Sequence, residues 1–112
     1  MRATIVVMPK CFLVVRATVA DPAKRSAFDD WYRREHLPQA MEIFRAEKGW
    51  RFWSDTDPAV HQATYQFADR AAAESAVNSA GMKTLVAEFD HAWPGIPRAR
   101  EVLALIEERD GS

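Results

Sequence analysis

His36 is the residue of this 112-residue sequence that is best suited to proton-transfer chemistry. A histidine titrates near neutral pH and can take up or release a proton without a cofactor. Tyr32 precedes it by four residues, which is one turn of a helix, so its hydroxyl could orient the imidazole or a substrate oxygen. The residues also allow a structural interpretation, in which His36 complements the dipole of a helix end and Tyr32 anchors the core.

A second group of residues has the polar and aromatic character of a ligand-binding wall. Arg51 and Trp53 share one side of a predicted strand, and Thr64 lies on one side of the next. These sides could offer hydrogen-bond donors and an aromatic surface to a small carbonyl or phenolic ligand, or they could form a polar dimer interface. His91 lies near the end of a predicted helix, where it could reach a cavity or cap the helix, whereas His61 is expected at the surface.

The sequence predicts no metal site and demands no cofactor. The three histidines lack the spacing of metal ligands, and the four scattered glycines form no nucleotide-binding loop. Cys11 is the single cysteine, which excludes an internal disulfide and a multi-cysteine site. Haem binding stays open, because one axial histidine such as His36 or His91 is sufficient for it.

The elements that would position these residues follow the order strand, helix, strand, strand, helix, strand. Their apolar patterns place them at residues 11–19, 22–36, 50–55, 60–67, 70–92 and 99–107. Asp21 and Asp69 are expected to cap the two helices, Pro38 to break the first, and Gly81 to interrupt the second. This order predicts an α+β, ferredoxin-like βαββαβ fold, in which two helices cover one face of a four-stranded antiparallel sheet.

Length and charge limit the class of protein further. The mass of 12.7 kDa corresponds to a single domain over residues 1–112, with a core at about 11–108 and an N-terminal extension at 1–10. The formal net charge of −1 shows no basic excess, so no nucleic-acid partner is expected. Pro9, Lys10 and Arg16 interrupt the apolar N-terminal stretch, and no apolar run is long enough for a membrane span. We therefore expect a cytoplasmic protein without a membrane partner.

The predicted sheet has more apolar surface than one layer of helices can cover. The strands at 11–19 and 99–107 carry apolar residues on both sides. A bare apolar sheet face is not stable in water, so a second copy of the chain is expected to cover it. The sequence thus predicts a homodimer that forms through the open face of the sheet.

Two stretches resemble a known family. Residues 28–38, FDDWYRREHLP, resemble the W-Y-x-x-x-H-x-P helix of EthD-like proteins in the dimeric α+β barrel superfamily. Residues 65–69, YQFAD, with the alanine-rich helix after them, are similar to the second half of that fold. The resemblance covers about residues 11–108 and implies a dimeric α+β barrel with a cavity between sheet and helices, lined by His36. Members include cofactor-free monooxygenases, decarboxylases, cyclases, isomerases and haem-linked enzymes, so the resemblance implies the fold more strongly than the reaction.

These observations predict a small, cofactor-independent EthD-like protein that binds an aromatic or polyketide-like small molecule. His36 would be its general acid and base, with Tyr32 as a helper. The residues expected to bind the ligand are Trp31, Arg51, Trp53, Thr64 and His91. Two alternatives stay open: a non-catalytic small-molecule-binding or stress-associated dimer of the same fold, and a haem-binding or monooxygenase relative. The sequence does not separate an enzyme from a binding protein.

Overall fold

Four strands form one antiparallel sheet in the computed structural model, which describes residues 9–111. The strands are β1 (Cys11–Thr18), β2 (Lys48–Trp53), β3 (Val60–Phe67) and β4 (Arg98–Ala104). They lie in the order β2-β3-β1-β4, and every neighbouring pair is antiparallel. This topology confirms the predicted ferredoxin-like α+β fold. Most of the predicted N-terminal extension, residues 1–8, lies outside the described residues.

Four α-helices pack on one side of this sheet: α1 (Arg25–Trp31), α2 (Leu37–Phe44), α3 (Arg70–Val77) and α4 (Ala80–Ala92). Asp21 accepts a hydrogen bond from the Ala23 amide, and Asp69 accepts one from the Ala72 amide, as their predicted capping roles require. Among residues 9–111, no helix is both long and apolar enough to cross a membrane.

Strand pairing divides the side chains between two faces of the sheet. Leu13 of β1 lies opposite Tyr65 of β3 and Val102 of β4, and all three point toward the helices. We call this side the helix face and the other side the open face. His61, Ala63, Tyr65 and Phe67 are buried on the helix face, whereas Gln62, Thr64 and Gln66 alternate with them on the open face. The sequence of residues 60–67 alternates between these two sets, and the structure confirms that they lie on opposite faces.

The first helical region is continuous, and the predicted break at Pro38 is wrong. Residues Tyr32–His36 form one π-helical turn that joins α1 directly to α2, and the Leu37 amide donates to the Tyr32 carbonyl five residues earlier. Pro38 has no amide hydrogen and its ring crowds the preceding turn of a regular α-helix. The wider π turn gives that ring space, so the helix passes through the proline instead of ending.

The π turn also keeps the buried residues of this helix on one face. These residues recur every four positions, at Phe28, Tyr32, His36, Ala40 and Phe44. In a straight α-helix each step of four would rotate the stripe by about 40°, which amounts to about 160° over the whole run. A π turn has more residues per turn, so it unwinds part of this rotation and both halves of the helix face the sheet.

Three predicted boundaries move by a few residues. β2 begins at Lys48 and ends before Ser54, because the Ser54 hydroxyl accepts hydrogen bonds from the turn amides of Thr56 and Asp57. The second helical region breaks at Asn78 rather than at Gly81, since Ser79 caps α4. Gly81 lies inside α4, where a Cβ atom would collide with Ile43 of α2.

The last strand differs from its prediction in extent and in cover. β4 ends at Ala104 rather than at residue 107. The sequence predicts cover on both faces, but in the single chain β4 lies at the edge of the sheet, and Val102 and Leu103 are more than 40% exposed. One protomer therefore leaves both sides of this strand open.

Candidate functional site

A cavity of about 280 Å³ lies between the helix face of the sheet and the layer formed by the π turn, α2 and α4. Its polar wall residues are Tyr32, His36, Tyr65, Arg98 and Arg100. Its other wall residues are Val15, Ala40, Phe44, Met82, Leu85, Val86, Phe89 and Ala99. This is the mostly apolar lining with a few convergent polar groups that small-molecule sites have.

His36 lies in the wall of this cavity, held among aromatic rings. Its imidazole stacks on Trp31 at 4.6 Å between ring centroids and meets the edges of Tyr32 and Phe89 at 4.8 and 5.8 Å. Burial lowers the pKa of His36 to about 4; the nearby Glu88 carboxylate opposes this shift, and Arg98 adds to it. At neutral pH the ring is therefore uncharged, and its buried Nδ1 has no hydrogen-bond partner among residues 9–111.

Tyr32 and Tyr65 place two hydroxyl groups in the same cavity. Both side chains are almost completely buried. Burial raises the pKa of Tyr32 to about 12 and holds the pKa of Tyr65 well above its ordinary value. Both groups stay protonated at neutral pH, so they can donate hydrogen bonds to a ligand oxygen.

Arg98, on the first residue of β4, supplies positive charge to the cavity wall. Its guanidinium lies over the ring of Phe89 at 3.8 Å, and its Nη2 donates to Asp90 at 2.9 Å. Its other terminal nitrogen, Nη1, is buried without a hydrogen-bond partner within the described part of the chain. Sequence reasoning missed this residue. The available signal was the side that Arg98 and Arg100 share with Val102, since charged residues are uncommon on the covered side of a strand.

Arg51 and Trp53 lie beside the cavity rather than in its wall. Both hydrogen-bond to Oδ1 of Asp29 in α1, Trp53 through its indole nitrogen at 2.8 Å and Arg51 through Nη2. The Arg51 Nε also donates to Nε2 of His61 at 3.2 Å, and the guanidinium lies 5.5 Å from the centre of the Tyr32 ring. We call Asp29, Arg51, Trp53 and His61 the supporting network, because it packs against the back of Tyr32.

His61 is buried, so the expectation that it lies at the surface is wrong. Its side chain is 1% exposed, and its ring lies 4.5 Å from that of Tyr32. Burial, with Arg51 next to it, lowers the pKa of His61 to about 4. Because the neutral ring accepts from Arg51 at Nε2, its proton must be on Nδ1. Its place on the covered side of an alternating strand was the signal that would have revealed it.

The remaining predicted binding residues are separated from this cavity. Thr64 lies on the open face of the sheet, behind the strand that carries Tyr65. His91 is exposed in the last turn of α4, where with Trp31 and Glu35 it borders a shallow groove on the outer helix surface. Within residues 9–111, no group of histidine, cysteine and carboxylate side chains could hold a metal ion.

Comparison with known proteins shows the fold. No protein-family model matches the chain, and no curated protein has significant sequence similarity to it. A solved protein of unknown function from Nitrosomonas europaea is 21% identical, with a TM-score of 0.66 over 96% of this chain and 99% of that one. An EthD family protein from Bacillus halodurans is 15% identical, with a TM-score of 0.66 over 87% and 99% of the two chains. SnoaB from Streptomyces nogalater, a cofactor-independent oxygenase, is 12% identical, with a TM-score of 0.67 over 89% and 96%. The protein therefore has the same ferredoxin-like α+β fold as these structures, as the sequence predicted.

Proposed function

We propose that this protein binds a small aromatic or polyketide-like molecule in the cavity and that His36 exchanges protons with it. The observation that carries the proposal is the position of His36, in the wall of an otherwise mostly apolar cavity, one turn from a protonated Tyr32. The similar fold of an EthD family protein and of a cofactor-independent oxygenase supports a small-molecule site in this position.

In this proposal the imidazole acts from its uncharged form. Its Nδ1 is buried, so Nε2 is the ring nitrogen that a ligand reaches. Nε2 takes a proton from an acidic O–H or C–H group of the ligand and returns it to another ligand atom, so the cycle needs no oxidant. Tyr32 and Tyr65 donate hydrogen bonds to the oxygen on which negative charge develops.

The surroundings of His36 make its basicity depend on the ligand. A free imidazole with a pKa of about 4 is a weak base at neutral pH. An acidic oxygen placed beside the ring stabilises the imidazolium form and raises this pKa toward the working pH. The base therefore becomes effective when an acidic ligand occupies the cavity.

The other predicted site residues have supporting roles in this proposal. Trp31 orients His36 by stacking, and Arg51 and Trp53 position Tyr32 through the supporting network. Thr64 belongs to the open face, through which we propose that two chains form a homodimer. Cys11 is buried and unpaired, which agrees with the reducing cytoplasm that we propose as the location.

Native mass spectrometry of the purified protein tests the proposal even while the ligand is unidentified. We expect the wild type to retain a small molecule and the variant Val86→Trp, which fills the cavity, to lose it. Ala87→Trp is the matched control, because Ala87 is the next residue of α4 and is exposed. Equal retention by both variants would show that the bound molecule lies elsewhere.

The retained molecule then separates an enzyme from a binding protein. If His36 performs the chemistry, His36→Gln should bind this molecule but convert it about 10²- to 10⁴-fold more slowly. His91→Gln is the control at an exposed histidine. Unchanged conversion in His36→Gln would leave a binding function without His36 catalysis.

The haem-binding alternative does not fit the cavity of this chain. His36 is enclosed by Trp31, Tyr32 and Phe89, so a porphyrin could approach it only through the cavity. The volume of about 280 Å³ is also at the lower end for drug-sized ligands, and a porphyrin is larger than these. Mixing the protein with haemin should therefore give no shift of the Soret band.

A further inference from the structure

The charged residues in the wall of the cavity are all positive. Arg98 and Arg100 line it, the two tyrosines are protonated, His36 is uncharged, and no carboxylate is among the wall residues that the structure describes. Asp90 neutralises Arg98 in part, but its own side chain is 63% exposed and turned to solvent. The cavity wall thus carries positive charge that the protein does not balance from inside.

The guanidinium of Arg98 also has one hydrogen-bond donor without an acceptor. Nη2 is bound to Asp90, and the flat face of the group lies on Phe89. Nη1 is buried and lacks an acceptor among residues 9–111. A buried donor without an acceptor is unfavourable, and a charged donor especially so, because it has lost its contacts with water. Arg98 lines the cavity, so a turn of its guanidinium would bring Nη1 to a ligand oxygen there, which is the acceptor that this arrangement lacks.

We infer that Arg98 forms an oxyanion subsite and that the ligand of this cavity is a small aromatic acid, bound through an ionised oxygen. This inference rests on the proposed function and names the ligand class for it. The single free nitrogen calls for one ionised oxygen, which a carboxylate and an ionised phenol both provide. Phe89, the apolar residues of α4 and Phe44 contact the aromatic part.

Two pairs of probes test the subsite. The first pair is 2-naphthoate and 2-naphthamide, which have the same shape and differ in charge, with affinities measured by isothermal titration calorimetry. A charge-assisted hydrogen bond should favour the naphthoate about tenfold or more. The second pair is 4-nitrophenol and its neutral analogue 4-nitroanisole. The absorbance of bound 4-nitrophenol shows whether it is bound as the phenolate.

Variants then assign the preference to Arg98. In Arg98→Gln the preference for the charged probe should disappear, because 2-naphthoate loses more affinity than 2-naphthamide. Arg70→Gln is the matched control, since Arg70 is exposed on α3 away from the cavity. Asp90→Asn leaves Arg98 in place and removes the neighbouring negative charge, so it should strengthen naphthoate binding. This variant keeps the test valid even if Arg98→Gln folds poorly, which circular dichroism would reveal.

The outcomes test the oxyanion subsite and the proposed function separately. A preference in the naphthoate pair alone indicates a carboxylate ligand, and bound nitrophenolate indicates an ionised phenol. Equal binding of charged and neutral probes, or a preference that Arg98→Gln and Asp90→Asn leave unchanged, would overturn the oxyanion subsite but not the cavity as a binding site. Absence of binding for all four probes at millimolar concentration would overturn the subsite and the proposed function together.

Discussion

The chemical character of His36 comes from residues that are distant in sequence as well as near. The spacing to Tyr32 is visible in the sequence, and it correctly predicts that the two rings meet. The low pKa is not visible there, because it follows from burial against Phe89 of α4, more than fifty residues away. Periodicity reveals which residues share a helix face, but not how deeply a later element will cover them.

Buried histidines should make the folding stability depend on pH. His36 and His61 have pKa values of about 4 in the folded chain, against an ordinary value of 6.5. Above pH 6.5 both are neutral in either state and contribute nothing to this dependence. As the pH falls from 6.5 to 4, the unfolded chain takes up protons that the folded chain excludes, so the free energy of unfolding should decrease. Urea unfolding at several pH values measures this slope.

The variant His36→Gln isolates the contribution of one group. It should flatten the fall in the free energy of unfolding between pH 6.5 and 4, relative to the wild type. The exposed His91→Gln provides the matched control. A slope that is the same in His36→Gln and the wild type would contradict a low pKa for His36.

The supporting network depends on the planar shape of one guanidinium. Arg51 donates to Asp29 and to His61 at the same time, and the compact ammonium of lysine cannot reproduce this fork. Arg51→Lys should therefore lower the free energy of unfolding by about 1–2 kcal/mol, since it leaves the buried Nε2 of His61 without its donor. Arg33→Lys alters an exposed pair with Asp30 and should cost less than about 0.5 kcal/mol. Equal losses in urea unfolding would argue against the network.

Among the elements, the π turn is the feature that connects fold and site. The sequence predicts a helix here, with Phe28, Trp31, Tyr32, Glu35 and His36 on one stripe. Phe28, Tyr32 and His36 are buried together as predicted, whereas Glu35 is exposed. It does not predict continuity through Pro38, because the rule for proline assumes regular α geometry. The strict period of four in the buried residues was a usable signal, since a regular helix with that period turns its stripe away from the sheet.

Removing one exposed residue of the π turn should separate its structural and functional roles. Deletion of Arg34 converts the turn to regular α geometry and still leaves the buried stripe on one face within about 80°. We expect helix content and the free energy of unfolding to stay near or above those of the wild type. His36 should move relative to Tyr32, so binding of 2-naphthamide should weaken.

A deletion in a regular helix is the matched control. Ala87 is exposed in the middle of α4, and its loss rotates Phe89 by about 100° away from the core. Deletion of Ala87 should therefore lower the melting temperature strongly. A comparable loss on deletion of Arg34, measured by circular dichroism, would show that the π turn is required for stability instead.

At the scale of the whole molecule, the open face of the sheet is the surface on which large apolar side chains are exposed. Trp50 and Phe52 of β2 are 36% and 50% exposed there, and Leu103 of β4 is 44% exposed. Trp50 packs on Phe12 of β1 at 6.3 Å between ring centroids, so the apolar patch extends across the sheet. The sequence predicts this patch through the two-sided apolar pattern of β1, and the topology places it on one face.

We predict that two chains cover this patch in solution. Light scattering at micromolar concentration should report about twice 12.7 kDa for the wild type. Phe52→Glu introduces a charge on the open face and should give monomers, because burying an unpaired carboxylate is costly. Ala71→Glu, at an exposed position of α3, is the control and should remain dimeric. A monomeric wild type at that concentration would contradict sheet-to-sheet pairing.

The fold as a whole is more predictable than the site. Element order and the sides of β3 follow from local patterns, and those are enough for a ferredoxin-like topology. The site depends on contacts between elements: Arg98 on the last strand meets Phe89 of α4, and Arg51 meets Asp29 of α1. Such pairings are set by packing in three dimensions, so a single sequence shows the candidate residues but not the pairs they form.

The stacking of Trp31 on His36 has an optical consequence. An imidazolium quenches the fluorescence of an indole in contact with it, whereas neutral imidazole does so much less. The fluorescence of Trp31 therefore depends on the charge of His36. A ligand that protonates the imidazole should lower the fluorescence intensity of the protein. Trp50 lies on the opposite side of the sheet, where its emission senses the arrival of a second chain. The chain thus carries one tryptophan beside the proposed proton-transfer group and another on the face where we propose that two chains pair.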